Sequence, residues 1–575
     1  MDYSIKIGGE AGQGLQTVGE MLSKFFSRAG LYVFTHQDYE SRVRGGHNFY
    51  QLRLSDRPVR CSRRLIDIIV ALDGPTIPLH STELSKDGVL LYDPNAIKET
   101  IDNPAFMAVP FRSLAVESGG SPVMSNTVAT GAVMGMLGLP MEIFEGIIKE
   151  GFSKKGDEIV TSNIKAAHAG YNYAKDKCLR CAFVAASKTE NAKMLLNGIE
   201  GIALGAIASG VGFYSAYPMT PSTGIMTYLA GKAAQYGIVV EQAEDEIAAI
   251  NMTLGASFAG VRAMTASAGG GFALMVEGLS LAAMTETPVV IAIGQRAAPA
   301  TGLPTRTEQG DLLFVVYASH GEFPRIVFTP GTPEEAFYLT NKAFELTEKY
   351  QVPAFVLFDT YLGDTQWTYN GLDTDKLLYN DYRLRGDTFS SLKEYKRHAF
   401  TDTGVTPLGV PGDAPHVVVT DSDEHDEEGH IIEDSVTRIK MTDKRLFKKL
   451  PHIIKEIAPP LLYGHKEPDV VLVGWGSTYG VIKETVESFS KDVKIAGMHF
   501  SEVLPFPSSE NSGYLDVLKN ARAAVCIENN ATGLFEKLMR TETGFVFSDR
   551  IHKFDGRPFL LEELIGEIDA RIGRI

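Results

Sequence analysis

A chain of 575 residues exceeds what one hydrophobic core usually carries, so three or four domains are predicted. Apolar residues at 44% and charged residues at 22% match a soluble globular protein, and no apolar run approaches the roughly 18 residues of a membrane span. A net charge of −16 excludes a surface built to wrap nucleic acid, which requires a basic face.

The chain opens on a strand, Tyr3–Ile7, with no signal-peptide pattern before it, which predicts a cytoplasmic protein. Next come Gly8-Gly9-Glu10-Ala11-Gly12-Gln13-Gly14 and a helix with Val18, Met21, Leu22 and Phe25 at helical spacing. Strands at Leu31–Phe34, Phe49–Leu54 and Ile66–Ala71 complete an α/β domain over 1–190. The rhythm fades between Gly170 and Asn197, a stretch read as a linker. It holds Cys178 and Cys181, two of only four cysteines beside Cys61 and Cys526, which fits a reducing compartment. A lone C-x-x-C is half of what zinc or an iron–sulfur cluster requires, so it reads as an exposed linker pair or as ligands shared with another chain.

A second α/β domain is predicted over 195–363. Helix Gly198–Ser209, strand Phe213–Ala216, helix Ile225–Gln235, strand Gly237–Gln242, helix Glu244–Ala259 and strands Val261–Ala266 and Val289–Ile293 alternate. Such alternation with apolar strands implies a mostly parallel, doubly wound sheet. Residues 364–465 are polar and irregular, too long for a simple loop, and read as an elaboration packed on the second domain. A smaller α/β domain over 466–575 opens with strand Val470–Gly474 and continues with strands at Val493–Met498 and Ala523–Glu528. No repeat of 20–50 residues suggests a solenoid.

Four runs carry possible chemistry. Tyr217-Pro218-Met219-Thr220-Pro221-Ser222 follows a strand; its prolines fix φ twice and hold Thr220 extended, at the strand end where open α/β sheets bind ligands. A plain strand–turn–helix link with Ser222 or Thr223 as N-cap is the alternative. In Glu241-Gln242-Ala243-Glu244-Asp245-Glu246, most carboxylates need only the helix dipole as explanation. Glu246 differs, because it shares a stripe with Ile250 and Leu254 that should face the sheet. Ser267-Ala268-Gly269-Gly270-Gly271 allows close backbone approach to a flat ligand, or is a tight turn. In Thr301-Gly302-Leu303-Pro304-Thr305-Arg306-Thr307-Glu308-Gln309-Gly310-Asp311, Arg306 could clamp a carboxylate bidentately or pair with Glu308.

In this order the four runs resemble the α subunit of the 2-oxoacid:ferredoxin oxidoreductase family, with Met219 where the family's Tyr-Pro-Ile-Thr-Pro has isoleucine. The Gly8–Gly14 loop and Ser41-Arg42-Val43-Arg44-Gly45-Gly46-His47 resemble that family's γ domain, so the chain looks like a γ–α fusion. The implied fold is α/β and multidomain: a Rossmann-like γ domain, a pyrimidine-binding domain of the thiamine-diphosphate-binding fold and a transketolase C-terminal-like domain. The resemblance implies that Glu246 hydrogen-bonds the aminopyrimidine ring of thiamine diphosphate and favours its imino tautomer. Tyr217, Pro218, Met219, Ser267, Gly269 and Gly270 would line the cofactor, and Thr220 and Arg306 would hold the 2-oxoacid. Ser41, Arg42 and Arg44 would serve coenzyme A or an interface, since the glycine loop lacks the G-x-G-x-x-G spacing of a nicotinamide site. Ala298, Ala300, Ala268 and Gly270 depart from the family's usual runs.

No Gly-Asp-Gly run, the anchor for diphosphate and Mg²⁺ in such enzymes, occurs in the sequence. The resemblance therefore implies a partner β subunit that holds the diphosphate end, Mg²⁺ and a [4Fe-4S] cluster. An α2β2 assembly, ferredoxin as acceptor and coenzyme A as co-substrate follow, with no nucleic-acid or membrane partner and no metal held by this chain. Asp423-Glu424-His425-Asp426-Glu427-Glu428-Gly429-His430 resembles 2-oxoglutarate-type α subunits, implying conversion of 2-oxoglutarate to succinyl-CoA. Read without the family, it mimics a metal loop or is solvated surface. Arg296, His425 or residues of the β subunit could meet a distal carboxylate. Pyruvate, branched-chain 2-oxoacids and indolepyruvate are the alternative substrates, and a non-catalytic scaffold is the alternative class. Gly474-Trp475-Gly476-Ser477-Thr478 and Glu528-Asn529-Asn530 are read as structural and dimer-forming.

Overall fold

The computed structural model describes residues 1–40, 46–97, 101–178, 183, 192–489, 493–510 and 512–572. They form two compact units: Met1–Leu196 with Asp364–Leu372 and Leu560–Gly566, and Asn197–Gly363 with Asp373–Phe559 and Glu567–Ile575. Among the described residues no helix is long and apolar enough to cross a membrane.

The first unit is built on an eight-stranded sheet with strand Asp2–Glu10 near its middle. That strand pairs in parallel with Ile66–Ala71 and antiparallel with His47–Ser55. Period-2 alternation sends Ile5, Ile7, Leu52 and Leu54 to one face, where they pack on Val18, Leu22, Phe25 and Phe26 of helix Leu15–Arg28. The opposite face buries polar residues, Ser4, Lys6, Gln51 and Arg53.

Two boundaries differ from the sequence reading. The segment read as a linker from Gly170 begins as helix, because Asp157–Lys177 is one continuous helix. It crosses helix Ser125–Leu137 at very close range. A Cβ on Gly170 would lie 2.0 Å from the Val128 carbonyl oxygen, and one on Gly131 would lie 2.1 Å from that of Ala167. Glycines here permit backbone contact between helices, so their low helix propensity misleads. Residues 179–182 and 184–191, including Cys181, lie outside the described residues. The second difference is that residues 364–372 join the first unit and not the elaboration. Strand Gln366–Tyr369 pairs Trp367 with Phe34, and their rings meet edge-on at 5.4 Å. Gln366 N donates to Thr35 Oγ1 at 2.9 Å and Val33 N to Thr368 Oγ1 at 3.1 Å. Leu560–Gly566 likewise leaves the C-terminal stretch for the first unit, through Leu561 N to Ser62 O at 3.1 Å.

The second unit holds a seven-stranded sheet in the order 502–504, 326–328, 353–359, 289–295, 263–268, 213–216, 239–242. All strands are parallel except Glu502–Leu504. A five-stranded sheet follows in the same unit, with Val470–Trp475 between Ile495–Phe500 and Ala523–Glu528. The two sheets share one core, in which Ile291, Ile293, Phe355 and Leu357 pack with Val473, Trp475, Met498 and Phe500.

The irregular stretch is fastened by buried charge. Glu286, 1% exposed, accepts from Lys444 Nζ at 2.6 Å and from Lys449 Nζ, and meets His398 Nδ1 at 3.1 Å. Arg397 Nη2 donates to the Glu286 carbonyl at 2.7 Å. Burial alone would raise the Glu286 carboxyl, but the two lysines hold it well below the usual carboxylate range.

Candidate functional site

The parallel register sets the geometry. Ala216 pairs with Gln242, Ala268 with Gly294 and Gln295 with Asp359, so five strands end together at one carboxyl edge. The four runs singled out from sequence leave this edge from adjacent strands: 217–222 after 213–216, 243–246 after 239–242, 269–271 after 263–268 and 296–311 after 289–295. Carboxyl edges of parallel sheets expose unpaired backbone amides and helix N-termini, which makes them binding sites.

Glu246 is the first residue of helix Glu246–Phe258 and 5% exposed. Its neighbour Asp245 caps the helix by accepting from Ala248 N at 2.7 Å, which leaves Glu246 free to turn inward. The inward direction is fixed by Gly271, where a Cβ would lie 2.3 Å from Glu246 Oε1 and 2.1 Å from Ser267 Oγ. Both oxygens therefore converge on one glycine Cα. Ser267 Oγ is buried with no hydrogen-bond partner among the described residues. The three glycines differ in role. Gly269 is tight, since its Cβ would meet the Asp311 carboxylate at 2.4 Å, and Gly271 is tight as just described. Gly270 is exposed and open, with nothing nearer to its Cβ position than the Ala300 carbonyl oxygen at 4.0 Å.

The Thr220 loop is held from two sides. Arg296 Nη1 donates to the Thr220 carbonyl at 2.9 Å, and Pro221 fills the notch at Gly294, where a Cβ would lie 2.6 Å from its ring. Ser222 Oγ donates to Met219 O at 2.7 Å. Thr220, Pro218 and Met219 are half-buried, and Tyr217 is exposed. Arg306 is half-buried on the 296–311 loop, where Thr307 N donates to the Gly556 carbonyl at 3.1 Å. The structure thus brings Glu246 and Ser267 together directly, and sets Thr220 and Arg306 on neighbouring loops.

Asp311 and Gln309, inside the run read from Thr301 to Asp311 but given no role there, also stand on this edge with Glu308. Burial, reinforced by the nearby Glu308 charge and opposed by Arg296, pushes the Asp311 carboxyl up to about 6. Burial also raises Glu308. Arg296, offered from sequence as a partner for a distal carboxylate, donates from Nη1 to Thr220 O. Gln309, fully buried, donates from Nε2 to Trp475 O at 2.8 Å and accepts from Asn529 N at 2.9 Å. Asp311 follows a glycine ahead of a six-residue helix, Leu312–Tyr317, so it reads as turn chemistry.

In the first unit, the glycine loop has local explanations. Gly14, with φ 77°, precedes helix Leu15–Arg28 and abuts Asn126, whose Nδ2 donates to Gln13 O at 2.9 Å. Gly8 yields to Thr76, 2.5 Å from its Cβ position. Nearby, His47 Nε2 and His80 Nε2 lie 2.8 Å apart, and His80 Nδ1 meets Glu83 at 3.1 Å. Ser41, Arg42 and Arg44 lie outside the described residues. The two histidines of the acidic run separate: His425 is fully buried against His398, and His430 is exposed. Glu286, His398 and His425 are close enough to suggest a metal centre. Two lysines already neutralise Glu286, however, so a further cation there would be repelled.

A parallel α/β sheet whose carboxyl edge carries a buried helix-start glutamate, a glycine turn and two arginines defines a ligand-binding enzyme domain. Residues 204–444 match the family described as pyruvate flavodoxin/ferredoxin oxidoreductase, thiamine diP-bdg, and residues 4–173 match pyruvate ferredoxin/flavodoxin oxidoreductase. A 2-oxoacid:ferredoxin oxidoreductase subunit alpha from Sulfolobus sp is 32% identical over 98% of this chain and 96% of its own. A 2-oxoglutarate oxidoreductase subunit KorA from Mycobacterium tuberculosis is 26% identical over 97% and 90%. The structure of 2-oxoglutarate:ferredoxin oxidoreductase from Magnetococcus marinus, with 2-oxoglutarate, coenzyme A and succinyl-CoA bound, superimposes with a TM-score of 0.91 at 29% identity, covering 99% of both chains. The chain belongs to the 2-oxoacid:ferredoxin oxidoreductase family, as an alpha subunit with a γ-type domain fused ahead of it.

Proposed function

We propose that this chain is the alpha subunit of a coenzyme-A-dependent 2-oxoglutarate:ferredoxin oxidoreductase, carrying the pyrimidine half of a thiamine diphosphate site and active with a beta subunit. The observation that supports it is the convergence of Glu246 and Ser267 on Gly271 at the carboxyl edge, beside the Thr220 and Arg306 loops. The donor set fits the pyrimidine end of the cofactor. A buried carboxylate can share a proton with a ring nitrogen, the Ser267 hydroxyl has no hydrogen-bond partner among the described residues, and the open Gly270 backbone admits a flat ring. When bound, thiamine diphosphate supplies the electron sink that lets a 2-oxoacid lose CO2.

The chain's own residues do the rest by position. Glu246 holds the shared proton at the ring nitrogen, out of water, where a charge-assisted hydrogen bond is strongest. The Thr220 hydroxyl and the Arg306 guanidinium hold the carboxylate and carbonyl of the 2-oxoacid. With no Gly-Asp-Gly in its 575 residues, the chain leaves diphosphate and Mg²⁺ to the beta subunit of an α2β2 assembly, which would also hold a [4Fe-4S] cluster as the relay toward ferredoxin. Coenzyme A accepts the acyl group. The 2-oxoglutarate assignment leans on relatives named for that acid.

The test is anaerobic, coenzyme-A-dependent viologen reduction by the natively purified complex, comparing 2-oxoglutarate with pyruvate, branched-chain 2-oxoacids and indolepyruvate. Preferred turnover of 2-oxoglutarate, present only with the cluster-bearing subunit, is expected. Preference for another acid overturns the substrate, and no turnover of any acid by an intact complex overturns catalysis in favour of a scaffold.

A further inference from the structure

We propose that Thr307 is a positioning residue of this site: its buried hydroxyl docks on the backbone corner that follows strand 353–359 and so holds the neighbouring Arg306 ready to meet the 2-oxoacid. The inference rests on the reading of Arg306 as a substrate contact. A guanidinium clamp works best when it is in place beforehand, because a free arginine side chain gives up much rotamer freedom on binding. The loop that bears Arg306, residues 296–311, holds no helix or strand, so its shape must come from contacts with other segments.

Thr307, 4% exposed, makes two of these contacts. Its N donates to the Gly556 carbonyl at 3.1 Å, and its Oγ1 accepts from Tyr361 N at 3.2 Å. Both fall on the residue that follows Arg306, so they fix where the arginine leaves the chain. Gly556 also bounds the arginine's stem: its φ is 78°, and a Cβ there would stand 3.1 Å from Arg306 Cβ and 3.4 Å from its Cγ. The corner itself is firmly built. Asp359, 1% exposed, accepts from Leu362 N at 2.9 Å through Oδ1 and from Ser477 Oγ through Oδ2. Thr360 Oγ1 donates at 3.2 Å to the carbonyl of Gln295, the residue from which the Arg306 loop departs. The corner and the root of the loop are thereby joined, and the Thr307 hydroxyl closes the ring on the far side of Arg306.

A buried threonine could serve stability alone. That role predicts a lower Tm with the same effect on substrate whether or not the arginine is present; a positioning role predicts an effect that vanishes once the arginine is gone. The experiment therefore uses the whole complex with Thr307→Val and Thr307→Ser, each alone and combined with Arg306→Ala. Thr307→Val keeps the volume but leaves Tyr361 N without its acceptor. It should raise KM for the 2-oxoacid ~10-fold with thiamine diphosphate affinity kept, the size expected when one partner of a buried hydrogen bond is removed. Thr307→Ser retains the hydroxyl and should restore most of the KM. Added to Arg306→Ala, Thr307→Val should change KM by less than ~2-fold. Amide hydrogen exchange at Tyr361 and Arg306 should quicken in Thr307→Val and not in Thr307→Ser. Exchange needs no turnover, so it reports on the anchor even if the complex consumes no 2-oxoacid and the functional reading fails. If Arg306→Ala alone leaves KM unchanged, the clamp reading falls and the role of Thr307 with it. Unchanged KM or unchanged exchange in a folded Thr307→Val, or a full ~10-fold effect in the Arg306→Ala background, overturns the proposal.

Discussion

Gly271→Ala offers the sharpest perturbation of the site, because the clash is fixed by geometry. The added methyl would stand 2.1 Å from Ser267 Oγ, 2.3 Å from Glu246 Oε1 and 2.9 Å from Glu246 Cδ. Ordinary carbon contacts begin near ~3.5 Å, so the carboxylate must retreat by about 1 Å. Ser267 can rotate its hydroxyl away, but Glu246 stands at the root of its helix with 5% exposure and can move only by leaving its pocket. Overpacking costs about 1–3 kcal/mol, offset by the ~1 kcal/mol that alanine gains over glycine inside a helix. The net is a loss of ~0–2 kcal/mol, small enough to leave a folded chain. A misplacement of about 1 Å at a reacting group, in contrast, costs ~10²-fold in rate. Viologen reduction by the complex should therefore fall ~100-fold while Tm shifts by only a few degrees. Gly270→Ala is the matched control, since the nearest atom to its Cβ position is 4.0 Å away; it should not lose stability, and should weaken thiamine diphosphate binding because the methyl enters the cofactor's space. Near-wild-type turnover by a folded Gly271→Ala would refute the placement of Glu246.

Other predictions concern the same site and its scaffold. Glu246→Gln keeps the shape but not the shared proton, so a cofactor-loaded complex should lose ~10²–10⁴-fold in kcat; near-normal turnover counts against the assignment. Arg306→Ala should raise KM for the 2-oxoacid more than it alters thiamine diphosphate affinity, and an unchanged KM would move the carboxylate clamp elsewhere. Glu286→Gln leaves Lys444 and Lys449 buried without their counter-charge and should cost ~3–5 kcal/mol in denaturant unfolding. Because the folded carboxyl is held well below its ordinary value of 4.5, this stabilisation is present above that pH and is lost as pH falls through the folded value. The variant's stability should thus be flatter in acid, and a parallel acid response in both proteins would contradict the burial scheme.

Much of the site is legible in the sequence because each run follows an apolar strand, and strand ends can be read from β-branched and aliphatic runs. What the sequence does not contain is strand order. Glu246 meets Ser267 only because 213–216 lies between 239–242 and 263–268, which brings two helix starts across one loop. Asp311 ends the run read from Thr301, but nothing there marks it out: it resembles any acid before a short helix, and its character comes from Gly269, forty-two positions earlier in the chain. Strand 366–369 is hidden because four residues give no measurable period, and only Phe34 tells Trp367 where to pack. The helix through Gly170 is masked because glycine weighed by propensity alone argues against it, while its use at a backbone crossing with Val128 leaves no local trace. His425 and His430 look equivalent in the acidic run, yet one packs against His398 and the other faces solvent.

The C-terminal sheet gains a role that its motifs alone do not announce. Gln309 lies between Arg306 and Asp311 and turns each of its four polar atoms to that sheet: Nε2 to Trp475 O, Oε1 from Asn529 N, its own N to Asn529 O and its own O from Asn530 Nδ2. Glu528 holds the other side of this junction, accepting from Trp475 Nε1, Asn530 Nδ2, Phe535 N and Glu536 N. Four bonds at one fully buried residue, each worth about 1 kcal/mol, fix the middle of a loop that has no regular structure of its own. Gly476, with φ 54° and a Cβ position 2.9 Å from Gln309 Nε2, is where this backbone makes room for the Gln309 side chain. The Gly-Trp-Gly and Glu-Asn-Asn runs are therefore structural in a specific sense: they set the height of the loop bearing Arg306 and Asp311 above the carboxyl edge. A change in either run should then reach the site through Gln309, without touching any residue that meets substrate.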